Sequence, residues 1–332
     1  MSSEWLFVPE DVQAITNAVE VYTQYVEDSS PPRGYEKFHP SAFGKCLRQM
    51  QYYRYAQMGF IPMPKAENES RMLRLWQLGH DVQSRWEKYF DGMGVLRGVW
   101  KCQNPLCSNT KDDGTINVES PENVQSRRYG TDVTLGVFKP EKCVCGSTKF
   151  FYEEVNVVDE SMNMYGHADM ILDFSRFDAK RFGKFAKQFN VDKFPKKPIV
   201  ADMKTCNKYA FDNKVTKCGP DMGYQVQLTL YANILDCEYG LLIYEGKNDS
   251  MVKAFKIPRR EDTWFVDLQR QAKLMNEMVE FKKLPPPRPF SKSEYECKYC
   301  PFSRLCHKSK VWSSDDLKKK RCNFYGTLLD VK

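Results

Sequence analysis

Three short stretches carry side chains that together could hydrolyse a phosphodiester: Gly166-His167-Ala168-Asp169, Asp202-Met203-Lys204, and Gln227 followed four residues later by Tyr231. Such a reaction needs anionic ligands for a divalent cation, a means of orienting and activating water, and cationic support for charge accumulating around phosphorus. The aspartates meet the first need and the lysine the last. Ile199-Val200-Ala201 leads into the second stretch, an apolar and partly β-branched run that predicts a buried strand ending at polar chemistry. Alternation then puts Asp202 and Lys204 on one face and turns Met203 away, which leaves the Met203 carbonyl available as a neutral metal ligand. Lys204 is placed to approach the attacking water or the scissile phosphate.

The elements that must position these groups can be read around them. A strand over about 167–174 is expected to carry Asp169 at its start, and a hairpin to the next strand would bring Asp169 against Asp202, with Gly166 permitting close backbone approach. Residues 224–235 have helical spacing, with Val226, Leu230 and Ile234 on one stripe and Gln227 and Tyr231 paired at i, i+4 to position a nucleic acid. Alone, an Asp-x-Lys is usually a solvated strand end, and a helical Gln or Tyr a surface or core-edge residue. Their ordered combination reverses those odds.

The cysteines form two further groups. Cys297-Lys298-Tyr299-Cys300, with Cys306 after it, concentrates three thiols in one segment. A tetrahedral ion or a cubane needs a fourth ligand from elsewhere in the chain, and spacing alone leaves zinc open beside iron. Cys102 with Cys107, and Cys143 with Cys145 just before Gly146, make two close pairs that read as a zinc-ribbon-like insertion; the bland alternative is unligated cysteines in a loop. This insertion is expected to stabilise itself without touching the chemistry, its polar excursion over 108–142 being free to contact DNA or a partner protein. Cys206, Cys218 and Cys237 have no matching spacing and read as ordinary thiols.

On these motifs the chain resembles the PD-(D/E)XK nuclease superfamily, specifically the RecB-like branch that includes AddB-type and CRISPR-associated iron-sulfur exonucleases. The resemblance covers most of the chain. It implies an α/β fold with a restriction-endonuclease-like core, a central mixed sheet flanked by helices. It makes Asp169 and Asp202 metal ligands, Lys204 the catalytic lysine, and Gln227 and Tyr231 the helix motif of the branch. It also implies an upstream metal-binding histidine, matched by His80 in the amphipathic segment 71–90, for which the alternative is a helix histidine satisfied by a neighbour. Glu87 is a lesser candidate nearby, and His167 is expected beside the ligands rather than among them. A mixed histidine and carboxylate site suits Mn2+ at least as well as Mg2+. The resemblance further implies that Cys46 joins Cys297, Cys300 and Cys306 to hold a [4Fe-4S] cluster that staples the two ends of the domain, with Cys322 in reserve; the Zn2+ expected in the insertion rests on the spacing of its two cysteine pairs.

Bulk properties agree with an intracellular nucleic-acid enzyme. The chain has 332 residues, 12 cysteines and a net charge of +7, from 50 basic and 43 acidic residues. That charge is compatible with DNA without demonstrating it. The start Met1-Ser2-Ser3-Glu4-Trp5 lacks the basic and apolar regions of a secretory leader, and no stretch is apolar enough for a bilayer, so a reducing cytoplasm, bacterial, archaeal or of a virus-infected host, is expected and clustered cysteines there mean metals. Lys180, Arg181, Lys184, Lys187, Lys193, Lys196 and Lys197 are interleaved with Phe182, Phe185, Phe189 and Phe194 between the two ligand strands. Either this insert contacts phosphates and bases at the rim of the active site, or it is a small amphipathic element whose lysines face water.

The expected organisation is an N-terminal helical part of the nuclease domain over 1–99, the zinc-ribbon-like insertion over 100–150, the nuclease core over 151–290, the iron-sulfur segment over 291–310, and a basic tail over 311–332 that includes Lys318-Lys319-Lys320-Arg321. A strand pair over 240–257 and a helix over 261–282, stopped by Pro285-Pro286-Pro287, complete the core. The implied activity is a divalent-metal-dependent exonuclease acting on single-stranded or processed DNA ends in recombination, repair, viral replication or CRISPR adaptation. No phosphate-loop motif is present, so unwinding would fall to a separate helicase or recombination partner. The competing expectations are a noncatalytic DNA-binding scaffold and an RNA nuclease.

Overall fold

The run Ile199-Val200-Ala201 lies in the middle of a mixed sheet. The structure, a computed structural model, describes residues 10–30, 34–43, 46–64, 69–107, 126–260, 263–280 and 292–308. Cys322, the basic run 318–321, the prolines 285–287 and residues 108–125 of the polar excursion lie outside the described residues.

The strands are β1 (Leu96–Cys102), β2 (Arg128–Tyr129), β3 (Val137–Phe138), β4 (Phe150–Glu153), β5 (Val155–Asp159), β6 (Met164–Ala168), β7 (Met170–Leu172), β8 (Ile199–Cys206), β9 (Tyr239–Gly246) and β10 (Val252–Pro258). Their order is β10-β9-β8-β7-β1-β2, with β3 and β4 also paired to β1 and with β5 and β6 forming a separate ribbon. β8 and β9 are parallel, whereas β7 with β8 and β9 with β10 are antiparallel. The helices are α1 (Glu10–Ser29), α2 (Pro40–Phe43), α3 (Leu47–Gln57), α4 (Ser70–Met93), α5 (Lys208–Ala210), α6 (Thr216–Cys218), α7 (Met222–Ile234), α8 (Thr263–Glu280), α9 (Tyr295–Lys298) and α10 (Ser303–Lys308).

Alternation along β8 divides the core. Ile199, Ala201 and Met203 point to one face, beneath Val82 and Phe90 of α4 and beside Trp100. Val200 points to the other with Leu242 and Tyr244 of β9, beneath Leu228, Tyr231 and Ala232 of α7. The far side of α7 is also covered, because Val226 and Leu230 pack on Phe43 of α2 and on Leu268, Ala272 and Met275 of α8. A helix that reads as carrying one apolar stripe is thus buried almost all round, between the sheet and an outer helical layer. α4 ends where Gly94 takes a left-handed φ of 73°, a conformation that favours a residue without Cβ.

Two expectations change. The strand anticipated over 167–174 is broken at Asp169 into β6 and β7 and gives way to a 3-10 turn at Phe174–Arg176. β7 and β8 pair antiparallel, as a hairpin would, with the lysine-rich insert between them running over 173–198. This excursion leaves the sheet where Leu172 pairs with Ile199, at the end of β8 remote from Lys204, so its lysines do not rim the Asp202 end. Its Phe177, Phe182, Phe189 and Phe194 pack on one another, and only Phe185 of the four expected rings is exposed. Among the described residues, no helix is long and apolar enough to cross a membrane.

Candidate functional site

The end of β8 brings Asp202 and Lys204 to the α7 face, while the side chain of Met203 packs into the opposite core. Met170 pairs with Ala201 and Val155 with Ala168. Continuing both registers by one residue sets Glu154, Asp169 and Asp202 in a row across neighbouring segments. Glu154 and Asp169 both occupy breaks, between β4 and β5 and between β6 and β7, where the chain leaves one pairing partner for another.

Lys204 Nζ donates to Asp202 Oδ1 at 2.6 Å and stands 3.9 Å from Asp169 Oδ2. Asp202 is 1 % exposed, and its Oδ2 has no hydrogen-bond partner among the described residues. A buried acceptor left unsatisfied costs about 1–3 kcal/mol, a deficit that a bound cation would remove. Burial, reinforced by Asp169 and opposed by Lys204, holds the Asp202 carboxyl well above its ordinary range. Burial works against charge on Lys204, yet Asp202 and Asp169 outweigh it and keep its ammonium protonated. The donor set, two carboxylates with one orphaned oxygen, fits a hard divalent cation.

Sequence reasoning missed Glu154. Burial raises its carboxyl and Asp169 adds to that, while Gln83 Nε2 donates to it at 3.1 Å and to Glu87 at 3.0 Å. Glu87 is pushed up to about 6, by burial first and then, against the Gln83 hydrogen bond, by Glu154 and Asp169. The signal available was only an acidic pair, Glu153-Glu154, ahead of a β-branched run. Tyr152 was missed as well; its hydroxyl donates to the Asp169 carbonyl at 2.9 Å.

Gln227 Nε2 donates to Tyr231 Oη at 3.4 Å, and both are buried. They line a cleft of about 730 Å³ with Gly166, His167 and Glu154. Gly166 is required there, since a Cβ would lie 2.8 Å from Pro40 Cδ and 3.0 Å from Tyr231 Oη. A second cleft of about 570 Å³ is lined by His80, Gln83 and Glu87 together with Tyr152, Glu154 and His167. His80 is exposed on α4, which packs on the face of β8 opposite Asp202. It lines the second cleft together with Glu154, whose carboxyl its charge lowers. His167 bonds Tyr165 Oη at 2.9 Å beside the carboxylate row.

Cys102, Cys107, Cys143 and Cys145 have sulfurs that all lie within 4.8 Å of one another and could hold a metal or an iron-sulfur centre. Cys102 ends β1, and Cys143 and Cys145 flank a turn closed by the Gly146 N–H on the Cys143 carbonyl at 2.8 Å. Burial opposes ionisation of Cys143, but the Tyr129 hydroxyl at 3.1 Å and the neighbouring thiols lower it to about 6. Cys107 is pushed up to about 12 by burial and by Cys143.

The other four thiols come from both ends of the described chain. Cys46 precedes α3, Cys297 lies in α9 and Cys306 in α10. Phe302 and Cys306 pack on Tyr52 and Tyr55 of α3, and Arg48 Nε donates to Cys306 Sγ at 3.0 Å. Cys46 is pushed up to about 12, chiefly by burial, with Cys300 and Cys306 adding to it. These thiols sense one another's charge without reaching the single-ion spacing of the first group.

Fold and site together define a mixed α/β protein with a central mixed sheet flanked by helices, an Asp-Asp-Lys group around the buried Asp202, and a cysteine cluster that could hold a metal. No protein-family model matches the sequence, and no curated protein does. A solved chain described as "Crystal structure of SSO0001" is similar at 15% identity and a TM-score of 0.40, over 88% of this chain and 96% of that one.

Proposed function

We propose that this protein is a divalent-metal-dependent nuclease of the PD-(D/E)XK type, acting on DNA, with an exonuclease acting on single-stranded or processed ends as the specific form. The observation that carries the reading is the meeting of Asp169, Asp202 and Lys204 at the end of β8, with Asp202 Oδ2 buried and without a hydrogen-bond partner among the described residues. Asp169 and Asp202 would hold the ion, and Mg2+ or Mn2+ supplies Lewis-acid polarisation of the phosphate and a more acidic water when bound. Lys204 stays cationic between the two carboxylates and presents its remaining N–H donors to the phosphate oxygens, where charge builds in the transition state. Gln227 and Tyr231 line the adjoining cleft and orient the strand. Burial of Asp202 excludes bulk water from the carboxylate that would otherwise compete with the substrate for hydrogen bonds.

Two further metals belong to this reading. Zn2+ at Cys102, Cys107, Cys143 and Cys145 accords with their close spacing. A [4Fe-4S] cluster at Cys46, Cys297, Cys300 and Cys306 accords with a looser set of thiols, because a cubane spreads its ligands wider than one ion does. Free thiols for both centres persist in a reducing compartment such as the cytoplasm, which this reading places the protein in.

The test is digestion of end-labelled linear and circular DNA by anaerobically purified protein with Mg2+ or Mn2+, with matched RNA as competitor. Cleavage should require the ion and fall by about 100-fold or more in Asp202→Ala and Lys204→Ala variants that still fold. Cleavage at wild-type rates in those variants would defeat the assignment, and preferential consumption of the RNA would change the substrate.

A further inference from the structure

The cysteine cluster and the acidic row share their supporting strands. The first residues of β1, Leu96 and Arg97, pair with Leu172 and Ile171 of β7, while its last, Cys102, pairs with Phe150 of β4. β4 itself begins five residues after Cys145. The four sulfurs therefore clasp the outer end of β1 to the start of β4. Within β4, Tyr152 lies opposite Trp100 and its ring crosses Gly98 so closely that a Cβ there would sit 2.1 Å from a ring carbon. From that seat its hydroxyl reaches the Asp169 carbonyl at 2.9 Å, with the Arg97 carbonyl 3.4 Å away. Two residues on, the same segment delivers Glu154 to the row.

Asp169 depends on such a tether. It falls in neither β6 nor β7, so no strand pairing includes it, and a hydrogen bond to its backbone carries more of its positioning than it would inside a strand.

The spacing of the sulfurs is that of one tetrahedral ion. Zinc–thiolate bonds of about 2.3 Å put neighbouring sulfurs roughly 3.8 Å apart, and Cys107 to Cys143 and Cys102 to Cys145 measure 3.2 and 3.7 Å. Without an ion only weak thiol contacts, Cys107 with Cys143 and Cys102 with Cys145, join the two ends, and the clasp between β1 and β4 loosens. We propose that a single Zn2+ on Cys102, Cys107, Cys143 and Cys145 positions Asp169 through β1, β4 and Tyr152, so that occupancy of the cysteine site governs how tightly the acidic row binds its divalent cation. This rests on the reading of Asp169 and Asp202 as cation ligands. Tyr152 is then a positioning residue, and the insertion acts on the chemistry rather than merely stabilising itself.

The experiment uses the full chain and two readouts: zinc content by elemental analysis, and Mn2+ affinity by electron paramagnetic resonance of the free ion. Wild-type protein should carry one zinc and bind Mn2+, and Asp202→Asn should keep the zinc while losing the Mn2+. The double variant Cys107→Ser, Cys143→Ser should lose the zinc and weaken Mn2+ binding at least 10-fold, the lower end of what outer-sphere partners contribute. Tyr152→Phe should keep the zinc and a cooperative melting transition yet weaken Mn2+ binding in the same direction, and it decides the matter alone if the double variant fails to fold. Mn2+ affinity within two-fold of wild type in Tyr152→Phe overturns the proposal, as does iron in place of zinc at these cysteines. Wild-type protein that binds no Mn2+ instead overturns the acidic centre itself.

Discussion

Replacing Lys204 by alanine should destabilise the metal-free protein and make its stability depend on a divalent cation. The ammonium lies 2.6 Å from Asp202 Oδ1 and 3.9 Å from Asp169 Oδ2, with its own side chain 24% exposed and that of Asp202 1%. Two unit charges about 4 Å apart attract by roughly 4 kcal/mol at an effective dielectric of about 20. Part of that is offset by dehydrating the lysine, and removing one member of a buried pair leaves a net loss of about 3–5 kcal/mol. Because Lys204 keeps some contact with water, the lower figure is the better estimate, and for a chain of 332 residues about 3 kcal/mol corresponds to roughly 4 °C in Tm. A cation held by the two carboxylates restores what the lysine supplied, and at about 100 times its Kd it contributes about 2.7 kcal/mol. Melting curves of Lys204→Ala in a chelator and in Mn2+ should therefore differ by several degrees more than those of wild type. The same variant should lose about 100- to 1,000-fold in turnover, as when one transition-state donor is removed. Equal melting temperatures in chelator for variant and wild type, or a response to Mn2+ no larger than that of wild type, would refute the reasoning.

Three other outcomes can be checked. Burial alone would raise the Asp173 carboxyl, but Ser175 and the Arg97 guanidinium at 3.0 Å outweigh it and hold it below the ordinary 3.8. Its folded-state pKa is depressed, so its stabilisation is complete above the unfolded value and is lost as pH falls through the folded one. Asp173→Asn should accordingly cost about 2 kcal/mol at neutral pH and flatten the acid limb of Tm against pH; an unchanged acid limb would contradict the pairing. Gly166→Ala should cost about 1–3 kcal/mol by overpacking, read by chemical denaturation, since the new methyl meets Pro40 and Tyr231; a neutral result would show that this approach is looser than drawn. Cys306→Ser should abolish the visible absorption of anaerobically purified protein while sparing its zinc, and absorption that persists would remove Cys306 from the cluster.

Some of this was legible because it is local. The β-branched run before Asp202 specifies a buried strand whichever partners it finds, and alternation then separates Met203 from Asp202 and Lys204. The i, i+4 spacing of Gln227 and Tyr231 needs only a helix to put them on one side. Cys102 with Cys107 and Cys143 with Cys145 are close along the chain, so each pair was visible before the fold joined them.

What the tertiary structure decided concerns partners distant in sequence. Asp169 sits at a break because its chain passes from pairing with β5 to pairing with β8, and no local pattern marks where one ladder ends. Glu154 joins the row by register alone. Gln83 and Glu87 of α4 come up to Glu154 only because that helix packs across the sheet, and the lysine-rich excursion leaves from the far end of β8. Residue types and their periodicity determine which elements form and which side chains can do chemistry. Register, face and strand end are set by long-range pairing and burial, and these determine which of those side chains meet.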